Sequence, residues 1–226
     1  MSSPAHHITV IIPTFNEEKY LPQTLEAVLK QEPPFKVVVA DGGSEDATCQ
    51  IAIPSATVLQ VAKGRGLQMH LAAKSVEKTE VFLFLHADTL LPPEAFSEIR
   101  KALQKQEVIA GCFRLRFDDA RPLMRIYGLF TRLPIRRMVF GDRAIFVRKT
   151  AYEQAGGFPM EPLFEDALLV RALRKMGQWA FLPIEVITSA RRFQKNGRVL
   201  QQIWNVALFI TFLLGMPPAV LSRWYR

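Results

Sequence analysis

The sequence predicts an α/β fold: a mixed, mostly parallel sheet flanked by helices, followed by an apolar C-terminal helical segment. Three observations lead there. The runs Thr9-Val10-Ile11-Ile12, Val37-Val38-Val39-Ala40 and Val81-Phe82-Leu83-Phe84-Leu85 are β-branched or apolar throughout, as strands covered on both faces must be. Segments of helical period separate them, and parallel strands need such crossovers. Beyond residue 110, Phe113, Leu115 and Phe117 instead alternate with Arg114 and Arg116, so a later strand has one wet face and is antiparallel or at an edge.

The elements follow in order. Pro13 stops the first strand, and Asn16-Glu17-Glu18 opens a helix with Leu21, Leu25, Val28 and Leu29 apolar. The second strand runs into Asp41-Gly42-Gly43-Ser44, where Ser44 is placed to cap a helix through Thr48 and Ile51. Thr57 to Val61 reads as a third strand and Leu67 to Val76 as a helix leading to the fourth strand, Val81 to Leu85. Ala144 to Val147 and Trp179 to Leu182 are further short strands. Glu165 to Met176 is a helix that turns Leu168, Leu169, Ala172 and Leu173 inward. With neither internal repeat nor low-complexity linker, residues 1–197 form one domain and 198–226 an apolar appendage.

Composition narrows the function classes. Of 226 residues 49% are hydrophobic and 22% charged, which excludes wholesale disorder and a polytopic membrane protein. The net charge is +8, unevenly spread: residues 1–110 carry 10 basic and 13 acidic side chains, residues 111–226 carry 19 and 8. The basic half calls for an anionic partner such as a phosphate-bearing substrate or acidic lipid. No nucleic-acid-reading motif is interleaved with it, so no nucleic-acid partner is expected. Cys49 and Cys112 lack metal-ligand or disulfide spacing, and the polar start Met1 to His7 is no cleavable signal, so a cytoplasmic location is expected. Trp204 to Leu221 has only Asn205 and Thr211 as clearly polar residues, but Pro217-Pro218 interrupts it and Arg198, Arg223 and Arg226 flank it. That pattern suits peripheral contact with the inner face of a membrane, a core or homodimer helix, or a span.

Polar residues collect where the apolar strands end, the place where open α/β sheets bind ligands. Pro13, Thr14, Asn16 and Glu17 offer hydroxyl, amide and carboxylate groups for a nucleoside, or an ordinary helix start. Asp41 with Gly42 and Gly43 can approach a base or ribose closely, or form a capped turn. Lys63-Gly64-Arg65-Gly66-Leu67-Gln68 puts two cations in a glycine-punctuated loop that can meet a diphosphate, yet it lacks the P-loop and dinucleotide signatures. His86-Ala87-Asp88 ends the most apolar strand, where Asp88 with His86 can hold Mg²⁺ or Mn²⁺, the imidazole favouring Mn²⁺. Gly141-Asp142-Arg143, after the Arg136-Arg137 cluster, is a turn or a site near an acceptor.

Taken together, Ile11 to Glu18, Val39 to Ser44 with Asp46, His86-Ala87-Asp88, Gly156-Gly157-Phe158 and Phe164-Glu165-Asp166 resemble, in order and spacing, the motif series of family 2 glycosyltransferases. The resemblance implies a GT-A fold, a nucleotide-diphosphate sugar donor, a divalent metal (Mn²⁺ or Mg²⁺), an acceptor hydroxyl that can be lipid-linked, and inversion at the anomeric carbon. It implies that Pro13, Thr14, Asn16 and Glu17 line the nucleoside pocket, that Asp41, beside Gly43, contacts the base, and that Arg65 and Gln68 lie near the base or diphosphate. Asp88 matches the last acid of the family's metal motif, while His86 stands where its first acid is expected. Asp166 matches the general base, and Arg191 and Arg192 lie where relatives grip phosphate. The Gln-x-x-Arg-Trp signature of processive synthases is absent. Two other readings are a nucleotidyltransferase, whose glycine-rich loop should follow the first strand where Pro13 to Glu18 stands, and a non-catalytic sugar-nucleotide-binding scaffold.

Overall fold

The computed structural model describes residues 6–133, 139 and 141–224. Arg136, Arg137 and Arg226, which entered the reading above, lie outside the described residues. The first half alternates strand and helix: β1 (Ile8–Thr14), α1 (Leu21–Leu29), β2 (Phe35–Asp41), α2 (Thr48–Ala52), β3 (Thr57–Gln60), α3 (Arg65–Ser75) and β4 (Val81–Phe84). The second half comprises β5 (Thr89–Leu90), α4 (Ala95–Leu103), β6 (Val108–Phe117), α5 (Pro122–Phe130), β7 (Ile145–Arg148), α6 (Lys149–Gln154), α7 (Glu165–Leu173), β8 (Gln178–Thr188), α8 (Arg191–Asn196), α9 (Arg198–Leu213) and α10 (Pro218–Leu221).

Eight strands form one sheet in the order β3-β2-β1-β4-β7-β6-β8-β5. β1, β2, β3 and β4 pair in parallel, whereas β7 is antiparallel to β4 and to β6. The sheet is therefore mixed, as the switch from continuous to alternating patterns implies. Both faces are covered. Ile8, Val10 and Ile12 of β1 pack with Leu21, Leu25 and Val28 of α1 and with Phe96 and Ile99 of α4, while Ile11 points the other way, towards Met69 and Ala72 of α3. Strand alternation divides one apolar run between two cores, and each fully buried Ile, Leu or Val contributes about 1.5–3 kcal/mol of burial.

The alternating strand is antiparallel to one neighbour, as expected: β6 pairs antiparallel with β7 through Ala110, Gly111 and Cys112 and parallel with β8, and its wet face is the side carrying Arg114 and Arg116. Two local expectations are corrected. The short strand at Trp179 to Leu182 is the first part of β8, which continues through Pro183 to Thr188. Pairing with β6 slips there, from Cys112 opposite Phe181 to Arg114 opposite Glu185, so the proline sits in a bulge where no ladder N–H is required. Ser44 does not cap α2; Asp46 serves that end instead, accepting from the backbone N–H and hydroxyl of Thr48.

The tail is split as the proline pair requires, α9 ending at Leu213 and α10 starting at Pro218. Among the described residues no helix is long and apolar enough to cross a membrane. One side of α9 and α10 is anchored, because Leu208 and Leu221 bury against Leu163, with Phe164, Phe212 and Met216 packed around them.

Candidate active site

β1 sits between β2 and β4, so the connections leaving it diverge at the carboxyl ends of β1 and β4 and open a crevice there. A cleft of about 1210 Å³ occupies this position. The β1 loop contributes Pro13, Thr14 and Glu17, the α3 entry Arg65 and Gln68, the end of β4 His86 and Asp88, the start of α7 Asp166, and α8 Arg191 and Arg192. Segments spread over nearly 180 residues of chain thus meet at one sheet edge.

Asn16, Asp41 and Gly43 do not line this cleft; Asp41 is buried, Asn16 and Gly43 are exposed outside it. Asp41 is fully buried and its carboxylate accepts four hydrogen bonds: the Thr14 and Ser44 hydroxyls reach Oδ1, and the Gly43 and Ser44 backbone N–H groups reach Oδ2. Burial disfavours its charged form, but those donors outweigh it and hold the carboxyl below its ordinary range. Asn16, left-handed at φ 55°, stitches the two loops together by accepting from the Glu45 N–H and donating its own N–H to Ser44. Gln68 borders the cleft, yet its amide is spent on the Thr14 and Ala40 carbonyls and the Gly64 N–H. These residues set the shape of the loops that face the cleft.

Two charged groups remain at the surface of the cleft. In the first, Arg191 holds both oxygens of Glu17 in a bidentate pair, places its Nε 3.1 Å from Asp88 and lies 4.5 Å over the Tyr20 ring. Burial raises the Asp88 pKa, against the pull of His86 and Arg191. In the second, Arg65 pairs with Glu165 and, at 3.3 Å, with Asp166. Asp166 also accepts the Gly141 N–H at 3.0 Å. Burial, with the neighbouring Glu165 charge, pushes the Asp166 pKa up to about 6 although Arg65 and His86 oppose the shift.

His86 joins the second group rather than Asp88. Its Nδ1 lies 3.1 Å from Asp142, while its Nε2 is enclosed without a hydrogen-bond partner. Burial works against the imidazolium, but Asp142 outweighs it and raises the His86 pKa; in turn His86 and Arg65 hold Asp142 low, at about 2, despite burial. Gly141 makes this packing feasible: a Cβ there would lie 2.6 Å from Asp166 Oδ2 and 2.8 Å from His86 Nε2. Of the Gly141-Asp142-Arg143 turn, Asp142 lines the cleft, whereas Arg143 is buried and donates to the Phe113 and Thr131 carbonyls.

Sequence reasoning passed over several walls of the cleft. Glu165, which the motif marks only as the neighbour of Asp166, is the main anchor of Arg65. Leu200, Gln201, Trp204, Asn205 and Leu208 of α9 form another side. The signal for it was present: Gln201 and Asn205 are spaced i, i+4 in an otherwise apolar helix, and the Gln201 side-chain amide donates to Asn205 at 2.7 Å. Among the described residues no three His, Cys, Asp or Glu side chains converge as a metal site.

Residues 9–151 match the family profile described as glycosyl transferase family 2. A curated relative, the undecaprenyl-phosphate 4-deoxy-4-formamido-L-arabinose transferase of Pseudomonas fluorescens, is 31% identical over 59% of this chain, which spans 43% of that protein's length. Among solved structures, TarS of S. aureus in complex with UDP-GlcNAc superposes with a TM-score of 0.67 at 21% identity, over 80% of this chain and 58% of that one. The mannosyltransferase PcManGT of Pyrobaculum calidifontis, in complex with GDP-Man and Mn2+, superposes with a TM-score of 0.69 at 18% identity, over 96% and 69%.

Proposed function

This chain belongs to glycosyl transferase family 2 and has its GT-A architecture, and from that premise we propose that it moves a sugar from a nucleotide-diphosphate donor to an acceptor hydroxyl with inversion. One observation carries the reading: the buried Asp166 carboxylate borders the cleft with a pKa raised to about 6. A base poised there is ionised at neutral pH yet basic enough to take a proton as a hydroxyl attacks. In the reaction we infer, Asp166 takes the acceptor hydroxyl's proton while that oxygen attacks the anomeric carbon from the face opposite the departing diphosphate. The bond from the sugar to the diphosphate breaks as the new glycosidic bond forms, and no covalent enzyme intermediate arises.

The leaving diphosphate needs positive charge, and Arg65, Arg191 and Arg192 supply it around the cleft. Asp88 suits a hard cation: Mg²⁺ or Mn²⁺ is held in such sites by one or two carboxylates together with substrate phosphates, so a preformed three-residue cage is unnecessary. His86 fits that role less well, because Asp142 takes its Nδ1 and its Nε2 is enclosed against Gly141. When bound, the cation would neutralise charge on the leaving diphosphate. Asp41, Asn16, Gly43 and Gln68 would act through their hydrogen bonds, fixing the loops in which Pro13, Thr14 and Glu17 meet the nucleoside. The relative from P. fluorescens is named for undecaprenyl-phosphate, and we extend that to a lipid-linked acceptor here. The free thiols of Cys49 and Cys112 suit a reducing, cytoplasmic compartment.

The test is a binding screen of UDP-, GDP- and dTDP-sugars by calorimetry, with and without Mn²⁺, followed by assay of donor hydrolysis. Binding that Mn²⁺ strengthens, with slow hydrolysis lost in Asp166→Asn, supports the reading. A protein that binds a sugar nucleotide but never turns it over supports the scaffold alternative, and one that binds no nucleotide diphosphate at millimolar concentration ends the proposal.

A further inference from the structure

The side of α9 opposite Leu208 is bare. Val199, Ile203, Val206, Ile210 and Leu213 recur at helical spacing along it, each 46–60% exposed, with Leu214 continuing the row at 81%. An apolar face of this length on a soluble surface is costly unless something covers it. What surrounds it identifies the cover. From Val186 to Arg226 the sequence carries six basic side chains and no acidic one; Arg191 is taken up by Glu17 and Asp88 and Arg198 by Asp119, which leaves the flanks of the helix to two others. Lys195 precedes the helix and Arg223 follows it, both solvent-exposed, and the indoles of Trp204 and Trp224 are 42% and 49% exposed. Two copies meeting through this face would bring like charges together, whereas an anionic bilayer offers the opposite sign, a hydrocarbon boundary and a favoured depth for tryptophan. At 1.5 Å per residue the 16 residues of α9 extend about 24 Å, enough to lie along a membrane and short of the roughly 30 Å needed to cross one.

We infer that the outer face of α9 seats this protein on an anionic membrane surface, with the mouth of the cleft turned to the bilayer. The inner side of the same helix lines the cleft, and Leu200 and Trp204 belong to both, each exposed and each bordering the cleft. An acceptor head group on a lipid anchor would enter past these two side chains without leaving the membrane. The membrane surface stands on α9 alone; its service to sugar transfer rests on the function proposed above.

The full-length chain is sedimented with vesicles of phosphatidylglycerol and phosphatidylcholine, and with phosphatidylcholine alone. Binding to the anionic vesicles that weakens with salt is expected, and Ile203→Glu with Ile210→Glu should lower the partition coefficient at least about tenfold. Both isoleucines lie outside the cleft, so nucleotide-diphosphate binding should not change in the double variant. Should that variant fail to fold, brominated phosphatidylglycerol decides in the unaltered chain, quenching the emission of Trp204 and Trp224 if α9 is seated. A full-length chain that stays in the supernatant with anionic vesicles overturns the inference, whether it is then a monomer or a dimer that the double variant dissociates. So does vesicle binding that neither quenches the indoles nor responds to the double variant. Vesicle binding by a chain that takes no nucleotide diphosphate would leave the surface standing and remove the transferase reading.

Discussion

Replacing Asp166 by asparagine should make the protein more stable and nearly inactive, and the dependence of the first effect on pH measures the second. The native carboxyl titrates near 6 instead of its ordinary 3.8, so between those values the folded state holds a proton that the unfolded chain has released. Stability therefore declines as pH rises through this window, and the ionised group is a liability above it. The shift of about 2 pH units, which already includes the opposing pull of Arg65, corresponds to about 3 kcal/mol. Asparagine fills the same space without titrating. Its amide loses the charge-assisted bond from Arg65, but Glu165 still pairs with that guanidinium. That bond forms fully only when Asp166 is ionised and is already reflected in its native pKa, so the informative quantity is how the difference between variant and native protein changes with pH. Urea unfolding at intervals from pH 4 to pH 8 should find Asp166→Asn gaining on the native chain by about 1–3 kcal/mol, mostly between pH 4 and 6.5. Turnover of a bound donor should fall by a factor of about 10² to 10⁴ while donor affinity is kept. A stability difference that stays flat across the range would refute the raised pKa, and with it the argument that Asp166 is tuned as a base.

Gly141→Ala should cost turnover far more than stability, because its methyl group would stand 2.6 Å from Asp166 Oδ2 and displace the base; a loss of about 10²-fold in kcat with donor affinity intact is expected. Asp88→Ala should abolish the strengthening of nucleotide-diphosphate binding by Mn²⁺, read by calorimetry, and leave metal-free binding within about threefold, since Arg191 keeps Glu17. His86→Asp places a carboxylate against Asp142 and Asp166, so its Tm should drop without a cation and recover on adding Mn²⁺ more than the native protein's does. Ending the chain after Gly197 uncovers Leu163 and Phe164 and takes away one side of the cleft, so it should lower Tm and weaken donor binding together.

The strands, their buried character and the crevice at their carboxyl ends were legible in the sequence because each depends on local pattern. Val10 to Ile12, Val37 to Ala40 and Val81 to Leu85 are apolar on both faces wherever they are placed, and a chain leaving such strands must put its polar turns at their ends. The motif order then identified the family from side chains alone. Which of those polar residues face the cleft was decided by packing. Asp41 and Asp88 both follow apolar strands, yet four donors converge on the first and enclose it, while the second meets Arg191 from a helix more than 100 residues away. His86 pairs with Asp142 rather than acting beside Asp88, because Gly141 admits the turn that brings Asp142 over it. The tail was ambiguous for the same reason: an apolar helix can bury either side, and the docking of Leu208 and Leu221 on Leu163 is what leaves Ile203, Val206 and Ile210 facing outward. Local pattern fixes which residues avoid water; the long-range contacts, whose partners no short window contains, fix which carboxylates border the cleft and what each of them is paired with.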